Sequence, residues 1–243
     1  MSDYYPVYLN LKGRRCVVIG GGTIAQDKII KLLESGAVVS VVSPDATPVI
    51  QSLAGEGRLE WTPREYRPGD LCGAFLGIAA TNRRDVNRCI FEEAEEHGIL
   101  LNVVDDPVLC SFIAPAIVQR GQVTLAVSTG GASPALARKL RESLEDSPAL
   151  QWADLAPVLS RVRREIRRMG VKVHPQRWQC SMTPEVLELV QSGREEEAAS
   201  SLLADLTSPD AAGLCSTVDQ CGPEPCAALR HGRLPATTGG RGR

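Results

Sequence analysis

Residues 15–25 of the chain read RCVVIGGGTIA. The first five form a short apolar run, as expected of a strand that is buried on both faces of a parallel sheet. After the three glycines, apolar residues recur at helical spacing as far as Gly36, which suits the left-handed end of a helix. Gly20, Gly22 and Ala25 therefore fit the pattern G-x-G-x-x-A, in which missing side chains let backbone amides approach a pyrophosphate at the positive end of a helix. The sequence predicts a dinucleotide-binding turn here, and a glycine turn without a ligand is the alternative.

The segments that follow alternate between strands and helices. Residues 37–43 (AVVSVVS) are rich in β-branched residues and stop at Pro44, so they predict a second strand and complete a βαβ unit. The hydrophobic pattern then predicts three more strands, at 58–62, 74–80 and 99–104, and a helix from about Arg84 to His97. This alternation predicts an α/β fold with a Rossmann-like, doubly wound parallel sheet.

The pattern changes after Pro107. Residues 112–119 and 122–128 are two β-rich runs separated only by Arg120-Gly121, which predicts an antiparallel hairpin. Ser133-Pro134 then offers an N-cap followed by a proline at the first helical position, and predicts a helix to about Glu145. The predicted organisation is a nucleotide-binding domain at 1–112, a hairpin-plus-helix region at 113–147, a small helical domain at 148–207 and a disordered tail at 208–243.

The composition excludes several classes of protein. Apolar residues make up 43% and charged residues 23%, and no apolar run approaches the ~18 residues of a membrane helix, so no membrane partner is expected. The net charge of -2 gives no global field that favours nucleic acid. The N-terminal residues carry no export signal, and four of the eight cysteines lie singly in apparent core segments, so we expect a cytoplasmic location with reduced thiols.

No metal site is predicted. Cys215, Cys221 and Cys226 are close together near the C-terminus, but their spacing matches no CxxC pair. The three histidines are isolated, so each is expected to be a surface or a satisfied histidine. The sequence contains no Ser-His-Asp order, HExxH or P-loop, which argues against hydrolase and phosphotransfer chemistry.

The residues after the second strand bear on which dinucleotide binds. In Rossmann folds an acid at this position bonds the ribose hydroxyls, and Ser43-Pro44-Asp45 offers Asp45 slightly late. No arginine stands beside it for a 2′-phosphate, so NAD is favoured over NADP. A role for Asp45 in capping the turn is the alternative.

Two carboxylates follow the last strand of the predicted parallel sheet. The motif NVVDDP at 102–107 puts Asp105 and Asp106 just past the carboxyl end of that strand, the edge where open α/β sheets bind their ligands. An acid there is placed to act as a general base. Asp-Asp-Pro is also an ordinary turn sequence, and this interpretation stays open.

The motif VSTGGASP at 127–134 is a second candidate for ligand binding. Hydroxyls, exposed amides and a helix N-terminus converge in this loop, and a basic helix follows, which suits a polycarboxylate. The predicted substrate contacts are Ser128, Thr129, Gly130, Gly131 and Ser133. In the alternative, Ser133 only caps its helix and the basic residues form a solvated face.

Taken in order, these motifs resemble the precorrin-2 dehydrogenase family, which includes stand-alone dehydrogenases and the N-terminal part of bacterial siroheme synthase. The resemblance covers about residues 4–190. It rests on five blocks: PVYLNLKGRRCVVIGGGTIAQDKIIKLLESGA from Pro6, IAATN at 78–82, NVVDDP at 102–107, SFIAPAIVQRG at 111–121 and VSTGGASPALARKLRE at 127–142.

The resemblance implies both a fold and an activity. In the family a Rossmann domain binds NAD, a hairpin and helix form the dimerisation region of a homodimer, and a helical domain follows. Precorrin-2 loses two hydrogens to become sirohydrochlorin, one of them as hydride to the nicotinamide, and some members then insert Fe²⁺. The family's catalytic aspartate falls on Asp105. The expected cofactor contacts are Gly20, Gly22, Thr23, Ile24, Ser43, Pro44, Asp45 and Thr81.

One position departs from the family, and two other functions compete. Thr129 stands where siroheme synthase has serine, which bears on iron insertion more than on hydride transfer. A protein that only inserts metal would use the Rossmann fold as a scaffold, and equilibrium NAD⁺ binding would separate it from a dehydrogenase. A non-catalytic NAD-sensing dimeric domain would share the βαβ unit but would not need the VSTGGASP block.

Overall fold

The computed structural model describes residues 4–208, and the chain divides there into two compact units. One unit contains the residues up to Ala116 together with Ser128–Arg138, and the other contains Ile117–Val127 and the chain from Lys139 onward. The domain boundaries at 112 and 147 drawn from the sequence stay predictions. The predicted disorder from residue 209 onward and the predictions for Cys215, Cys221 and Cys226 lie outside the described residues.

The first unit is built on a five-stranded parallel sheet with the strand order β3-β2-β1-β4-β5. Its strands are β1 (Arg15–Ile19), β2 (Val38–Val42), β3 (Glu60–Thr62), β4 (Leu76–Ala79) and β5 (Leu100–Val103). Its helices are α1 (Thr23–Glu34), α2 (Pro48–Gly55) and α3 (Arg84–His97). The chain builds outward from β1 to β3 and then returns to the other side of β1, which is the order of a Rossmann nucleotide-binding half. The predicted doubly wound parallel sheet is therefore confirmed.

Helices cover both faces of this sheet. Cys16 and Val18 of β1 belong to the core that contains residues of α1 and α2, whereas Val17 and Ile19 belong to the core that contains α3. Successive residues of a strand point to opposite faces, so a strand that is covered on both sides must be apolar throughout. This explains the uninterrupted apolar run before the glycines.

The second unit combines a hairpin with helices. The hairpin consists of β6 (Ala116–Arg120) and β7 (Val123–Val127), and α4 (Pro134–Glu145) follows it. Val118 packs with Leu150 and Ala153 of a 3-10 helix at Pro148–Leu155, and Arg120 donates two hydrogen bonds of 2.7 Å to Asp154. The remaining helices are α5 (Ala156–Arg168), α6 (Pro175–Ser181), α7 (Pro184–Gln191) and α8 (Glu195–Thr207).

Two local features differ from the sequence prediction. Helix α2 was not predicted, although Thr47 caps it and Pro48 occupies its first turn. The hairpin begins at Ala116 rather than at residue 112, because Ser111 pairs with Leu101 and keeps this segment beside β5. Within residues 4–208 no helix is long and apolar enough to cross a membrane.

Candidate functional site

The three glycines after β1 serve different purposes. A Cβ atom at Gly20 would lie 2.3 Å from the Ala80 carbonyl oxygen, and one at Gly21 would lie 2.1 Å from the Asp45 carbonyl oxygen. Gly20 also has a φ of 124°, a conformation that glycine adopts without strain. At Gly22, by contrast, a Cβ would meet nothing within 4 Å. The first two glycines therefore let neighbouring backbone segments approach, and the third leaves open space at the start of α1.

This open space adjoins the N-terminus of α1. Gly22 is the N-cap of the helix, and no side chain caps it or places an acid in its first turn. A helix N-terminus without a side-chain cap presents backbone N–H groups and a partial positive charge to an anion. Thr23 and Ile24, which belong to the first turn, are exposed. The geometry fits the pyrophosphate of a dinucleotide.

A pocket of about 220 Å³ lies at the carboxyl ends of β1, β2 and β4. Four of the predicted cofactor contacts line it: Gly20, Ser43, Pro44 and Thr81. The other lining residues are Ile19, Gly21, Val42, Glu65, Tyr66, Ala80, Arg83 and Val86. The pocket is smaller than the ~300–1,000 Å³ of sites that enclose a whole drug-sized ligand, so it suits one half of a dinucleotide. In Rossmann folds the ribose next to the adenine binds at the end of β2, which is the part of the sheet edge where this pocket lies.

Asp45 is not among the residues that line this pocket. Its backbone carbonyl approaches Gly21 instead, and the nearby Thr47 N–H donates a 2.9 Å hydrogen bond to the Gly21 carbonyl. The backbone after β2 is thus fitted against the glycine turn. A contact between the Asp45 side chain and a ribose stays a prediction.

Thr81 is held in place by its own neighbours. Its hydroxyl donates a 2.7 Å hydrogen bond to Oδ1 of Asn87, and Nδ2 of Asn87 donates one of 3.1 Å to the Thr81 carbonyl. Asn87 is buried in α3. This reciprocal pair fixes the loop between β4 and α3 where it borders the pocket.

Of the lining residues that sequence reasoning missed, Glu65, Tyr66 and Arg83 have polar or charged side chains. The Tyr66 hydroxyl donates to the buried Glu93, which also accepts a 2.8 Å hydrogen bond from the Leu71 N–H. Burial, followed by the hydrogen bond to Glu93, raises the pKa of Tyr66 well above its usual range. Tyr66 therefore lines the pocket as a neutral side chain whose position is fixed by its hydrogen bond to Glu93.

Asp105 lies in the turn after β5 and has an unusual backbone. Its φ is 60°, and it is the one non-glycine residue among residues 4–208 with a positive φ. The Cys110 thiol spans this turn: it accepts a 3.1 Å hydrogen bond from the Val103 N–H and lies 3.2 Å from the carbonyl oxygens of Val103 and Asp106. Burial raises the pKa of Cys110, so the sulfur stays protonated and can donate.

The three hydroxyl oxygens of the loop at 128–133 accept hydrogen bonds from nearby backbone N–H groups. Ser133 Oγ accepts a 3.2 Å hydrogen bond from the Leu136 N–H and so caps α4. Thr129 Oγ1 accepts from the Ser133 N–H at 3.1 Å, and Ser128 Oγ accepts from the Gly130 N–H at 3.1 Å. Gly130 and Gly131 both have positive φ. The capping role of Ser133 is confirmed, and substrate binding by the loop stays a prediction.

The parallel sheet, the glycine turn and the pocket at the sheet edge define a dinucleotide-binding protein of the Rossmann class. Two family models match the chain: one described as "Putative NAD(P)-binding" over residues 7–116, and one described as "Sirohaem biosynthesis protein central" over residues 120–147.

Individual proteins are similar over a longer range. Siroheme synthase of Photorhabdus laumondii is 37% identical over 213 residues, which is 87% of this chain and 45% of the relative. Siroheme synthase of Azotobacter vinelandii is 40% identical over 206 residues, which is 84% of this chain and 44% of the relative. The chain thus spans a little under half the length of these relatives.

One solved structure matches this chain over nearly its whole length. The structure of SirC, precorrin-2 dehydrogenase, superposes with a TM-score of 0.67 at 28% identity, and the match covers 82% of this chain and 98% of that one. These matches confirm the resemblance to precorrin-2 dehydrogenases and to the part of siroheme synthase that the chain spans.

Proposed function

We propose that the chain binds NAD⁺ and oxidises precorrin-2 to sirohydrochlorin. The observation that carries this proposal is the open space at Gly22 beside the uncapped N-terminus of α1, next to a pocket at the ends of β1, β2 and β4. The likeness to SirC, precorrin-2 dehydrogenase, over 98% of that chain supports the choice of substrate. Every predicted site residue, from Gly20 to Thr81, Asp105 and Ser128–Ser133, belongs to the same compact unit.

Each group of residues has a proposed role. The bound nicotinamide would supply the hydride acceptor. The backbone amides at the start of α1 bind the pyrophosphate, and Ser43, Pro44 and Thr81 enclose the adenosine half. Asp105 accepts the proton that leaves the tetrapyrrole. The amides of the Ser128–Ser133 loop and the N-terminus of α4 bind carboxylates of the substrate.

The proposal is tested by anaerobic absorbance at the NADH band after the protein is mixed with precorrin-2 and NAD⁺. Growth of the band together with sirohydrochlorin is the expected result, and the same mixture without precorrin-2 is the control. A folded protein that binds NAD⁺ but forms no NADH would contradict the dehydrogenase and favour the sensor. A folded protein that binds no NAD⁺ would favour the metal-inserting alternative.

Insertion of Fe²⁺ into sirohydrochlorin is a separate proposal that rests on the family. The ion would be a substrate, and within residues 4–208 no three or more His, Cys, Asp or Glu side chains are grouped to hold a metal. The test is the anaerobic rate of siroheme formation from sirohydrochlorin and Fe²⁺. A rate equal to that without protein would dispose of the activity.

We also propose a homodimer in the cytoplasm. Helix α4 exposes Leu136, Leu140 and Leu144, at 50%, 44% and 37% of their surface, and residues four apart lie on one face of a helix. An exposed apolar stripe of this kind is typical of a helix that packs on a partner, here a second copy of the chain. Cys16, Cys72, Cys89 and Cys110 form no disulfide, as is typical of thiols in a reducing compartment.

A further inference from the structure

The adenosine pocket contains one cation and one anion among its lining residues. They are Arg83, which precedes α3, and Glu65, which follows β3. In many Rossmann folds an acid at the end of β2 selects NAD, and an arginine nearby accommodates the 2′-phosphate of NADP. Here the end of β2 contributes Val42, Ser43 and Pro44 to the pocket, and none of these residues is charged. Discrimination between the two dinucleotides therefore depends on charges that other elements supply.

Arg83 is already paired with two carboxylates. Its Nη1 lies 3.2 Å from Oε1 of Glu65, its Nη2 lies 2.7 Å from Oδ2 of Asp85, and its Nε lies 3.4 Å from Oδ1 of Asp85. The side chains of Arg83, Glu65 and Asp85 remain 55%, 73% and 68% exposed, and two of them, Arg83 and Glu65, line the pocket. One guanidinium and two ionised carboxylates give this cluster a net charge of minus one.

Two features of its surroundings favour the ionised form of Asp85. The hydrogen bond from Arg83 lowers the pKa of Asp85, so the carboxylate stays ionised at neutral pH. Asp85 also lies in the first turn of α3, where the partial positive charge of the helix end favours an anion. Both carboxylates therefore occupy the donors with which Arg83 would otherwise bind a phosphate.

We infer that Glu65 and Asp85 mask Arg83, so that the pocket selects NAD⁺ and rejects NADP⁺. The inference rests on the proposed binding of a nicotinamide dinucleotide. A 2′-phosphate carries close to two negative charges at neutral pH and would be repelled by the negative cluster. Without the two carboxylate charges, the same guanidinium becomes a phosphate-binding group. Arg83 is thus a potential 2′-phosphate site whose donors are occupied by Glu65 and Asp85.

The test measures the dissociation constants of NAD⁺ and NADP⁺ for the full chain by titration calorimetry. Three proteins are compared: wild type, the double variant Glu65→Gln/Asp85→Asn, and the triple variant that adds Arg83→Gln. We expect wild type to prefer NAD⁺, and the ratio Kd(NADP⁺)/Kd(NAD⁺) to fall at least about tenfold in the double variant. In the triple variant this improvement in relative affinity for NADP⁺ is expected to disappear.

Three outcomes would overturn the inference. They are a wild type that binds NADP⁺ as tightly as NAD⁺, a folded double variant with an unchanged ratio, and a gain that persists in the triple variant. Thermal melting confirms that each variant is folded. A folded wild type that binds neither dinucleotide would overturn the proposed function as well, so the wild-type titration separates the two failures.

Discussion

At Asp105 the backbone conformation is unfavourable for stability, and the proposed function gives a reason for it. A non-glycine residue in the left-handed region is destabilised by about 1–2 kcal/mol, although Asp and Asn tolerate it better than most. Neighbouring contacts hold this conformation, since the Cys110 thiol bonds Val103 on one side of the turn and reaches the Asp106 carbonyl on the other. Strained residues held in this way cluster at active sites. A carboxylate here is therefore better explained by function than by stability.

Substitutions at Asp105 separate these two effects. Asp105→Gly is expected to be about 1 kcal/mol more stable than Asp105→Ala, because only alanine is strained at this φ. Asp105→Asn tolerates the backbone and removes only the charge. All three are expected to slow precorrin-2 oxidation by about 10²–10⁴-fold. Urea unfolding and NADH formation are measured for each. Full turnover by Asp105→Asn would refute the catalytic role, and equal stability of the glycine and alanine variants would refute the strain.

The Cys16 thiol predicts how stability changes at alkaline pH. Cys16 is fully buried in β1, and burial raises its pKa from 9.0 to about 11. In the unfolded chain the thiol ionises first, so its contribution is fully present below pH 9 and is lost as pH rises toward 11. The loss is expected to reach about 2–3 kcal/mol of unfolding free energy.

The matching control for this effect is Cys16→Ala. Tyr66 changes stability in the same direction at high pH, so only the difference between wild type and Cys16→Ala reports on the thiol. Urea unfolding of both proteins from about pH 8 to about pH 11 gives that difference. A difference that stays constant with pH would show that the thiol does not titrate as expected.

Among the elements, those with a long apolar pattern could be predicted from the sequence. Strands β1, β2, β4 and β5 and helices α1 and α3 follow such patterns. Helix α2 has only eight residues, and its main signal is Thr47-Pro48, where Thr47 Oγ1 accepts from the Ile50 N–H. The same type of signal at Ser133-Pro134 did predict α4. A capping residue followed by proline therefore indicates the start of a helix even where the helix is too short to show a hydrophobic period.

The candidate site was predictable only where it is local. The glycine turn and Asp105 each follow directly from a strand end, so both can be read from adjacent residues. Glu65 and Arg83 are 18 residues apart, and they meet only because the strand order brings the ends of β3, β1 and β4 to one edge. The absence of an arginine beside Asp45 therefore said nothing about an arginine reaching the pocket from another element.

The glycine turn supplies a matched pair of substitutions. Gly21→Ala places a Cβ 2.1 Å from the Asp45 carbonyl oxygen, so it is expected to lower unfolding free energy by about 2 kcal/mol or more. A Cβ at Gly22 would meet nothing within 4 Å, and the φ of Gly22 is -78°, which any residue can adopt. The unfolding free energy of Gly22→Ala is therefore expected to stay within about 1 kcal/mol of wild type.

Gly22→Ala is nevertheless expected to weaken NAD⁺ binding at least about tenfold, since its methyl group enters the space assigned to the pyrophosphate. Chemical unfolding and NAD⁺ calorimetry on both variants test the pair. A stable Gly22→Ala protein with wild-type affinity for NAD⁺ would place the cofactor elsewhere.

In the whole molecule, the proposed functions are divided between parts of the chain. All predicted contacts to cofactor and substrate belong to one compact unit, although Thr81 and Ser128 are far apart in sequence. The hairpin, α4 and the helices after α4 contribute none of the residues that line the pocket. Association through α4 can therefore be tested without disturbing the dinucleotide pocket.

Light scattering after size exclusion is expected to give twice the single-chain mass of 26.1 kDa. Leu140→Glu puts a charge in the middle of the exposed stripe of α4, which would be desolvated in a dimer, so this variant is expected to elute as a single chain. Met169→Glu is the control, because Met169 is at least as exposed but lies after α5. NAD⁺ affinity is measured in both variants and is expected to match wild type. A wild type of single-chain mass, or a dimeric Leu140→Glu, would show that α4 does not join two copies.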